Sequence, residues 1–169
     1  ISQVDEIKRL VTEFSDFARM PRIKKQTANL ASLAADTLVL YREAHKHIDF
    51  CFEKEEIPPF AFDPVQIRRV LINLLDNGVS VLGHGGQIKV QLALHEQRMI
   101  SIMVSDNGPG IPEEVKRRLF EPYFSTRKSG TGLGLAIANT IVAEHNGSIR
   151  VQDNVPSGTT VIVELPLFE

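Results

Sequence analysis

Two hydrophobic periods alternate along this chain, and their order restricts what it can fold into. Ile88–Leu94 and Met99–Ser105 read as strands around the polar turn His95-Glu96-Gln97-Arg98, and Ser148–Asp153 and Thr159–Leu165 read as strands around Pro156-Ser157-Gly158. Before them, residues 30–45 place Leu30, Leu33, Ala34, Leu38 and Tyr41 on one helical face, and residues 64–82 do the same with Val70, Leu71, Leu74, Leu75 and Val79. A helix with one apolar stripe and a sheet with an apolar face must bury them against each other. The expected fold class is therefore α/β (α+β): a two-layer sandwich with one mixed, largely antiparallel sheet and its helices on one face.

The element ends carry their own signals. Asp63 suits an N-cap, Pro64 the first helical turn, and Gln66 the third position of a capping box. Gly83–Gly86 should end that helix, and Gly147 should be the C′ residue of a last helix over about 132–145. A short helix is expected near 113–119, and Ile48–Glu53 alternates like a strand, with Cys51 as an ordinary strand residue. Phe60-Ala61-Phe62 gives a further short extended piece. At the N-terminus, Val4, Ile7, Val11, Phe14 and Ala18, widened by Leu10 and Phe17, form a bundle or coiled-coil seam over residues 2–19. Pro21 stops that helix, and the basic run Arg19, Arg22, Lys24 and Lys25 reads as a solvated hinge, with phosphate contact as the alternative.

Composition removes several function classes. A chain of 169 residues suffices for one compact domain and a short appendage. Lys+Arg 19 against Asp+Glu 21 leaves a net charge of −2, so no overall positive field draws nucleic acid or an anionic membrane surface. Any anion site must be local. The single cysteine excludes an internal disulfide, and the five scattered histidines form no metal pair. No apolar run reaches the roughly 18 residues of a membrane span, and the N-terminus lacks signal-peptide order, so a soluble segment is expected.

Three clusters carry chemistry. No Gly-Lys dipeptide occurs, which excludes a Walker A loop, and Gly130-Thr131-Gly132-Leu133-Gly134 lacks the G-x-G-x-x-G spacing of a dinucleotide fold. Alone it is a flexible turn or, at a helix start, an anion cradle of unblocked N–H groups. Asn73 and Asn77 lie one turn apart on one helix face. They are either a structural amide pair or neutral oxygen ligands that could complete a Mg²⁺ shell. Asp106-x-Gly108-x-Gly110 follows a strand, as a tight turn or as an acid placed to accept a hydrogen bond from the exocyclic amine of adenine.

Together, Asn73-Leu74-Leu75-Asp76-Asn77, Asp106-Asn107-Gly108-Pro109-Gly110-Ile111, Phe120-Glu121-Pro122-Tyr123-Phe124 and Gly130-Thr131-Gly132-Leu133-Gly134-Leu135 resemble the N, G1, F and G2 boxes of bacterial sensor histidine kinases. That family shares its ATP-binding superfamily with gyrase, the heat-shock chaperone and mismatch-repair ATPases. The run Phe14-Ser15-Asp16-Phe17-Ala18-Arg19 is similar to the second helix of the family's dimerisation and phosphoacceptor hairpin, and the whole is most similar to the nitrogen-regulation type. The resemblance implies a Bergerat-type ATP-binding fold over residues 26–169, a linker over 21–25, and part of the dimerisation hairpin over 1–20.

It also implies roles. Asn77 would ligate Mg²⁺ with Asn73 supporting the phosphate-metal assembly, and Asp106 would hold the adenine amine with a water shared with Thr159. Gly108, Gly110 and Ile111 would approach the base, and Phe120 and Phe124 would anchor a lid that includes Thr126. Gly130, Thr131, Gly132, Leu133, Gly134 and Leu135 would cap the phosphates of ATP, and Arg127 or Lys128 would reach the γ-phosphate. Arg127 stands where nitrogen-type relatives usually have lysine, Gly78 stands where the family usually has alanine, and Val81 replaces another small residue. Glycine inside a helix costs roughly 0.5–1 kcal/mol relative to alanine, so a looser helix is expected there. Hydrolytic relatives carry a glutamate one turn before the metal-binding asparagine, and here that position is Asn73, with no basic carboxylate. Phosphoryl transfer is thus expected over hydrolysis, with a gyrase- or chaperone-like ATPase and a degenerate nucleotide-binding scaffold as the rivals. None of the histidines has the setting of the family's phosphoacceptor, which is expected upstream of this chain. The implied partners are that phosphoacceptor helix, a response regulator receiver domain and a second copy in a homodimer, with no nucleic acid and no direct membrane contact, in the cytoplasm.

Overall fold

The computed structural model describes residues 3–18, 22–96, 98–126 and 130–168. Arg19, Pro21 and Gln97, and the side chains of Leu10 and Phe17, lie outside what it describes. The elements are α1 (Gln3–Ala18), β1 (Gln26–Ala28), α2 (Leu30–Ala44), β2 (Ile48–Lys54), β3 (Phe60–Phe62), α3 (Pro64–Leu82), β4 (Gly86–His95), β5 (Met99–Asp106), α4 (Glu113–Lys116), α5 (Gly134–Glu144), β6 (Ser148–Asp153) and β7 (Thr159–Pro166).

Five strands form the main sheet in the order β2-β4-β5-β7-β6, with β2 parallel to β4 and every other pair antiparallel. The mixed, largely antiparallel sheet is as expected, but it is not the only one. β1 and β3 pair antiparallel as a separate two-stranded sheet, Gln26 opposite Phe62 and Ala28 opposite Phe60. Three residues of β1 are too few to show an alternation, so this strand left no periodic signal.

Register explains where the core ends. On one face of the central strands, Ile100 lies opposite Leu165, Ile102 opposite Val163 and Val104 opposite Val161, and Ile88, Val90 and Leu92 of β4 continue the same layer. All but Val161 are at most 4 % exposed, and they share one core with Leu38 of α2, Leu74 and Leu75 of α3 and Ile141 of α5. Each such side chain contributes about 1.5–3 kcal/mol by leaving water. The next pair on that face, Asp106 opposite Thr159, is polar. The apolar layer therefore stops where β5 and β7 end, and polar side chains are held at its rim.

Four local expectations are corrected. Asp63 caps α3 as foreseen, its Oδ1 accepting from the N–H groups of Val65 and Gln66 at 3.0 and 3.1 Å. Its own N–H, which a capping box reserves for Gln66, donates instead to Nε2 of buried His145 at 3.0 Å. His145 Nδ1 is 2.8 Å from the Ile141 carbonyl, so the ring is the neutral Nδ1–H tautomer. At the end of α5 the left-handed C′ residue is Asn146, φ 58°, and not Gly147. Gly147 N–H donates to Val142 O and Asn146 N–H to Ala143 O, both at 2.9 Å, which is a Schellman closure. Residue 147 is glycine for another reason: a Cβ there would lie 2.3 Å from the Glu164 carbonyl of β7. The expected helix over 113–119 is regular only through Lys116, and α5 begins at Gly134, which leaves Gly130 and Gly132 in the preceding loop.

α1 packs little of its stripe. Val4, Ile7, Val11 and Phe14 are each more than half exposed. Among the described residues no helix is long and apolar enough to cross a membrane.

Candidate functional site

The rim of the core is built around Asp106, the last residue of β5. Its Oδ1 accepts from the Gly108 N–H at 2.9 Å, which tightens the turn that follows. Its backbone carbonyl accepts from Asn154 Nδ2 at 2.8 Å. The β6–β7 turn closes so tightly over that carbonyl that a Cβ on Gly158 would stand 1.9 Å from it, and Gly158 has φ +108°. Thr159, which follows and faces Asp106 across the ladder, is 6 % exposed. α3 runs close beside this rim. A Cβ on Gly78 would lie 3.9 Å from Asp106 Cβ and 2.9 Å from Ile88 Cδ1. Gly78 is buried, and a methyl there would press on the Ile88 side chain of the sheet.

One turn earlier, Asn73 meets the start of α5. A Cβ on Gly134 would be 3.2 Å from Asn73 Oδ1, and Asn73 Nδ2 is buried with no hydrogen-bond partner among the described residues. An orphaned amide donor in a folded protein calls for a partner from outside the chain or from water. The N-terminus of α5 has no side-chain cap among the described residues, so the positive end of its dipole faces this amide uncovered. Thr131 Oγ1 accepts only a long bond, 3.4 Å, from the Leu133 N–H. Asn77, half-buried, lies between Asn73 and the Asp106 rim along the same helix.

The segment between the two halves is tied at both ends. Lys116 reaches Asp153 at 2.8 Å and Glu113 at 3.2 Å, and these partners, Asp153 first, hold its ammonium above the usual lysine range. Arg118 stacks 4.4 Å above the Phe124 ring and pairs with Glu121 at 3.0 Å. The Tyr123 N–H donates to the Gly132 carbonyl at 3.0 Å, and a Cβ on Gly132, φ +69°, would lie 2.5 Å from the Tyr123 carbonyl carbon. Only glycine permits that crossing.

The predicted residues therefore fall into two neighbouring groups. Asp106, Gly108, Gly110 and Thr159 gather at the β5–β7 end, with a Cβ on Gly110 3.4 Å from the Gly158 carbonyl. Asn73 and Gly134 gather at the α3–α5 junction. Phe120, Phe124 and Ile111 are half-buried and Thr126 is exposed. Leu133 is 1 % exposed and Leu135 packs on the core, so these two positions offer backbone and not side chain to any ligand. Arg127 and Lys128 lie outside the described residues. Sequence reasoning missed Asn154 and the role of Gly158; an Asn and a Gly flanking a strand turn were the available signal. Two surface depressions among the described residues, about 400 Å³ beside Lys116 and Asp153 and about 630 Å³ beside Lys54 and Ile57, include neither Asn73, Asn77 nor Asp106.

Residues 62–169 match the family described as histidine kinase-, DNA gyrase B-, and HSP90-like ATPase. The chain belongs to this ATPase family. Among curated relatives it is 32 % identical to the signal transduction histidine-protein kinase AtoS of Escherichia coli strain K12, over 99 % of this chain and 28 % of AtoS. It is 36 % identical to the nitrogen regulation protein NtrY of Azorhizobium caulinodans, over 99 % of this chain and 22 % of NtrY. The chain thus spans less than a third of either relative. Among solved structures, the catalytic domain of histidine kinase ThkA aligns with TM-score 0.78 and 35 % identity over 86 % of this chain and 97 % of that one. ThkA in complex with the response regulator protein TrrA aligns with TM-score 0.83 and 32 % identity, over 97 % of this chain and 49 % of that one. The two-layer fold expected from the periodicities is the fold of these kinase catalytic domains.

The residues present fit a bound Mg-ATP in kind: Asp106 at the end of β5 could accept from an adenine amine, the Asn73 amide and the start of α5 could donate to phosphate oxygens, and the Asn73–Asn77 turn carries the neutral oxygen type that a hard divalent cation takes.

Proposed function

We propose that this chain is the ATP-binding catalytic module of a two-component sensor histidine kinase, which transfers the γ-phosphate of Mg-ATP to a histidine outside residues 1–169 for relay to an aspartate of a response regulator. The observation that carries the reading is Asn73: the position one turn before Asn77 holds an amide whose buried Nδ2 has no partner among the described residues, and no carboxylate that could activate water. The names of AtoS and of ThkA as histidine kinases, and the ThkA–TrrA complex, support the same class.

Each residue then has a task. Asp106 accepts the adenine amine, helped by Thr159 across the ladder, and Gly108, Gly110 and Ile111 border the base. Asn77 gives its amide oxygen to Mg²⁺, and Asn73 donates to the phosphates. The N–H groups from Gly130 through Leu135 face the phosphate chain, and Arg127 or Lys128 neutralises the γ-phosphate from the lid that Phe120 and Phe124 anchor. Bound Mg-ATP supplies the phosphoryl group and most of the charge neutralisation, so that the protein need only align donor and acceptor. His145 is excluded as acceptor, since it is 3 % exposed with both ring nitrogens engaged. Residues 1–20 contribute one helix of the dimerisation and phosphoacceptor hairpin, residues 21–25 the linker, and residues 26–169 the catalytic domain of a homodimeric, cytoplasmically disposed kinase. Mixing this chain and Mg-ATP with a separately supplied phosphoacceptor hairpin should yield acid-labile phosphohistidine on the hairpin. Steady ATP hydrolysis without phosphohistidine would instead favour the gyrase-like reading.

A further inference from the structure

α2 lies along α3, with Leu38, Leu71 and Leu75 in one buried cluster. Aliphatic contacts of this kind attract without a preferred direction. Two polar contacts supply one. Arg68 Nη1 donates to Thr37 Oγ1 at 3.1 Å near the start of the pair. Further along, the Tyr41 hydroxyl donates to Asp76 Oδ1, with the Ile72 carbonyl 3.3 Å away. The second contact falls on the turn that carries Asn73 and Asn77. Tyr41 is itself held, its ring 5.7 Å from His45 and 6.2 Å from Phe50.

We propose that Tyr41, acting through Asp76, is a positioning residue that sets the rotation of α3 so that Asn77 presents its amide oxygen to the metal; this rests on the reading of Asn77 as the Mg²⁺ ligand. Asp76 is adjacent to Asn77 and is exposed, so its carboxylate would be well solvated without Tyr41, and the bond answers no need of that acid for a partner. Magnesium demands near-ideal octahedral geometry at roughly 2.0–2.1 Å, so small errors in ligand placement are costly. Burial first, then the Asp76 bond and charge, push the Tyr41 phenol far above the usual tyrosine range.

The test compares ATP affinity in Mg²⁺ and in EDTA by calorimetry on the whole chain. Tyr41→Phe and Asp76→Ala should each weaken Mg-ATP binding about tenfold, the size typical of losing a partner behind a metal ligand, and leave affinity in EDTA unchanged. Asp76→Asn keeps a carbonyl acceptor and should retain most of the Mg²⁺ effect. Thr37→Val breaks the other cross-link and should lower the thermal midpoint without altering the Mg²⁺ effect. If Asn77→Ala abolishes the Mg²⁺ effect while Tyr41→Phe and Asp76→Ala retain it, the positioning role is overturned and the ligand reading stands. If Asn77→Ala itself retains the effect, both fall. Equal loss in Thr37→Val would also overturn the proposal, because any loosening of α2 against α3 would then suffice.

Discussion

On the proposed reading, Asp106 would join a structural and a recognition task in one side chain. Its Oδ1 ties down the Gly108 N–H, a bond that an amide oxygen can equally accept. Asp106→Asn should therefore fold normally, while losing the charged acceptor for an exocyclic amine. A charge-assisted hydrogen bond of about 1.5–3 kcal/mol implies a loss of roughly tenfold or more in ATP affinity, read by calorimetry beside an unchanged circular dichroism spectrum. Gly158 is the opposite case, since a side chain there strikes the Asp106 carbonyl. Gly158→Ala should cost about 2–4 kcal/mol in urea denaturation, at the high end for single substitutions. Tyr41 titrates with a definite sign. Its folded pKa is raised, so its stabilising contribution is complete below the ordinary tyrosine value of about 10 and declines as pH rises above it, where the unfolded tyrosine ionises and the folded one does not. Stability measured from pH 9 to 11 should fall more steeply in the parent protein than in Tyr41→Phe; equal slopes would refute it.

Helix ends show how far local pattern reaches. The Asp63 cap was legible because its partners, Val65 and Gln66, are two and three residues away. The partner of its N–H was not, because His145 lies 82 residues further on. The same holds at the end of α5. A glycine after a helix suggests a C′ residue, yet Asn146 takes the left-handed conformation while Gly147 makes room for β7. The two positions should respond differently. Asn146→Ala should cost about 1 kcal/mol, because alanine lacks the short polar side chain that lets asparagine hydrogen-bond locally in the left-handed conformation, and Gly147→Ala considerably more, because a backbone carbonyl must move. Comparable losses in chemical denaturation would mean that β7 does not constrain residue 147. At the α3–α5 junction, the Asn73 and Asn77 spacing was visible in one helix, but the contact with Gly134 joins segments sixty-one positions apart in number and has no local signature.

For the molecule as a whole, the core lies between the five-stranded sheet and α2, α3 and α5, while Val4, Ile7, Val11 and Phe14 of α1 are more than half exposed. Exposed stripes of this length mark contact with another chain or segment. Removing residues 1–20 should leave nucleotide affinity and thermal midpoint unchanged and reduce self-association in sedimentation equilibrium. A large fall in the midpoint would show that α1 belongs to the domain's own core.

Periodicity, caps and turn residues were enough to place the helices and strands of the main layers, and the chemistry-bearing types stood out by their spacing. Those signals depend on neighbours a few residues apart, whose geometry the backbone period itself imposes. The separate β1–β3 sheet, the His145 bond to Asp63, the closure of Gly158 over Asp106 and the Tyr41–Asp76 bond came only from the folded chain. Each joins residues distant in sequence, and which distant groups meet is settled by packing one layer on the other, a property of the whole chain that no short stretch contains.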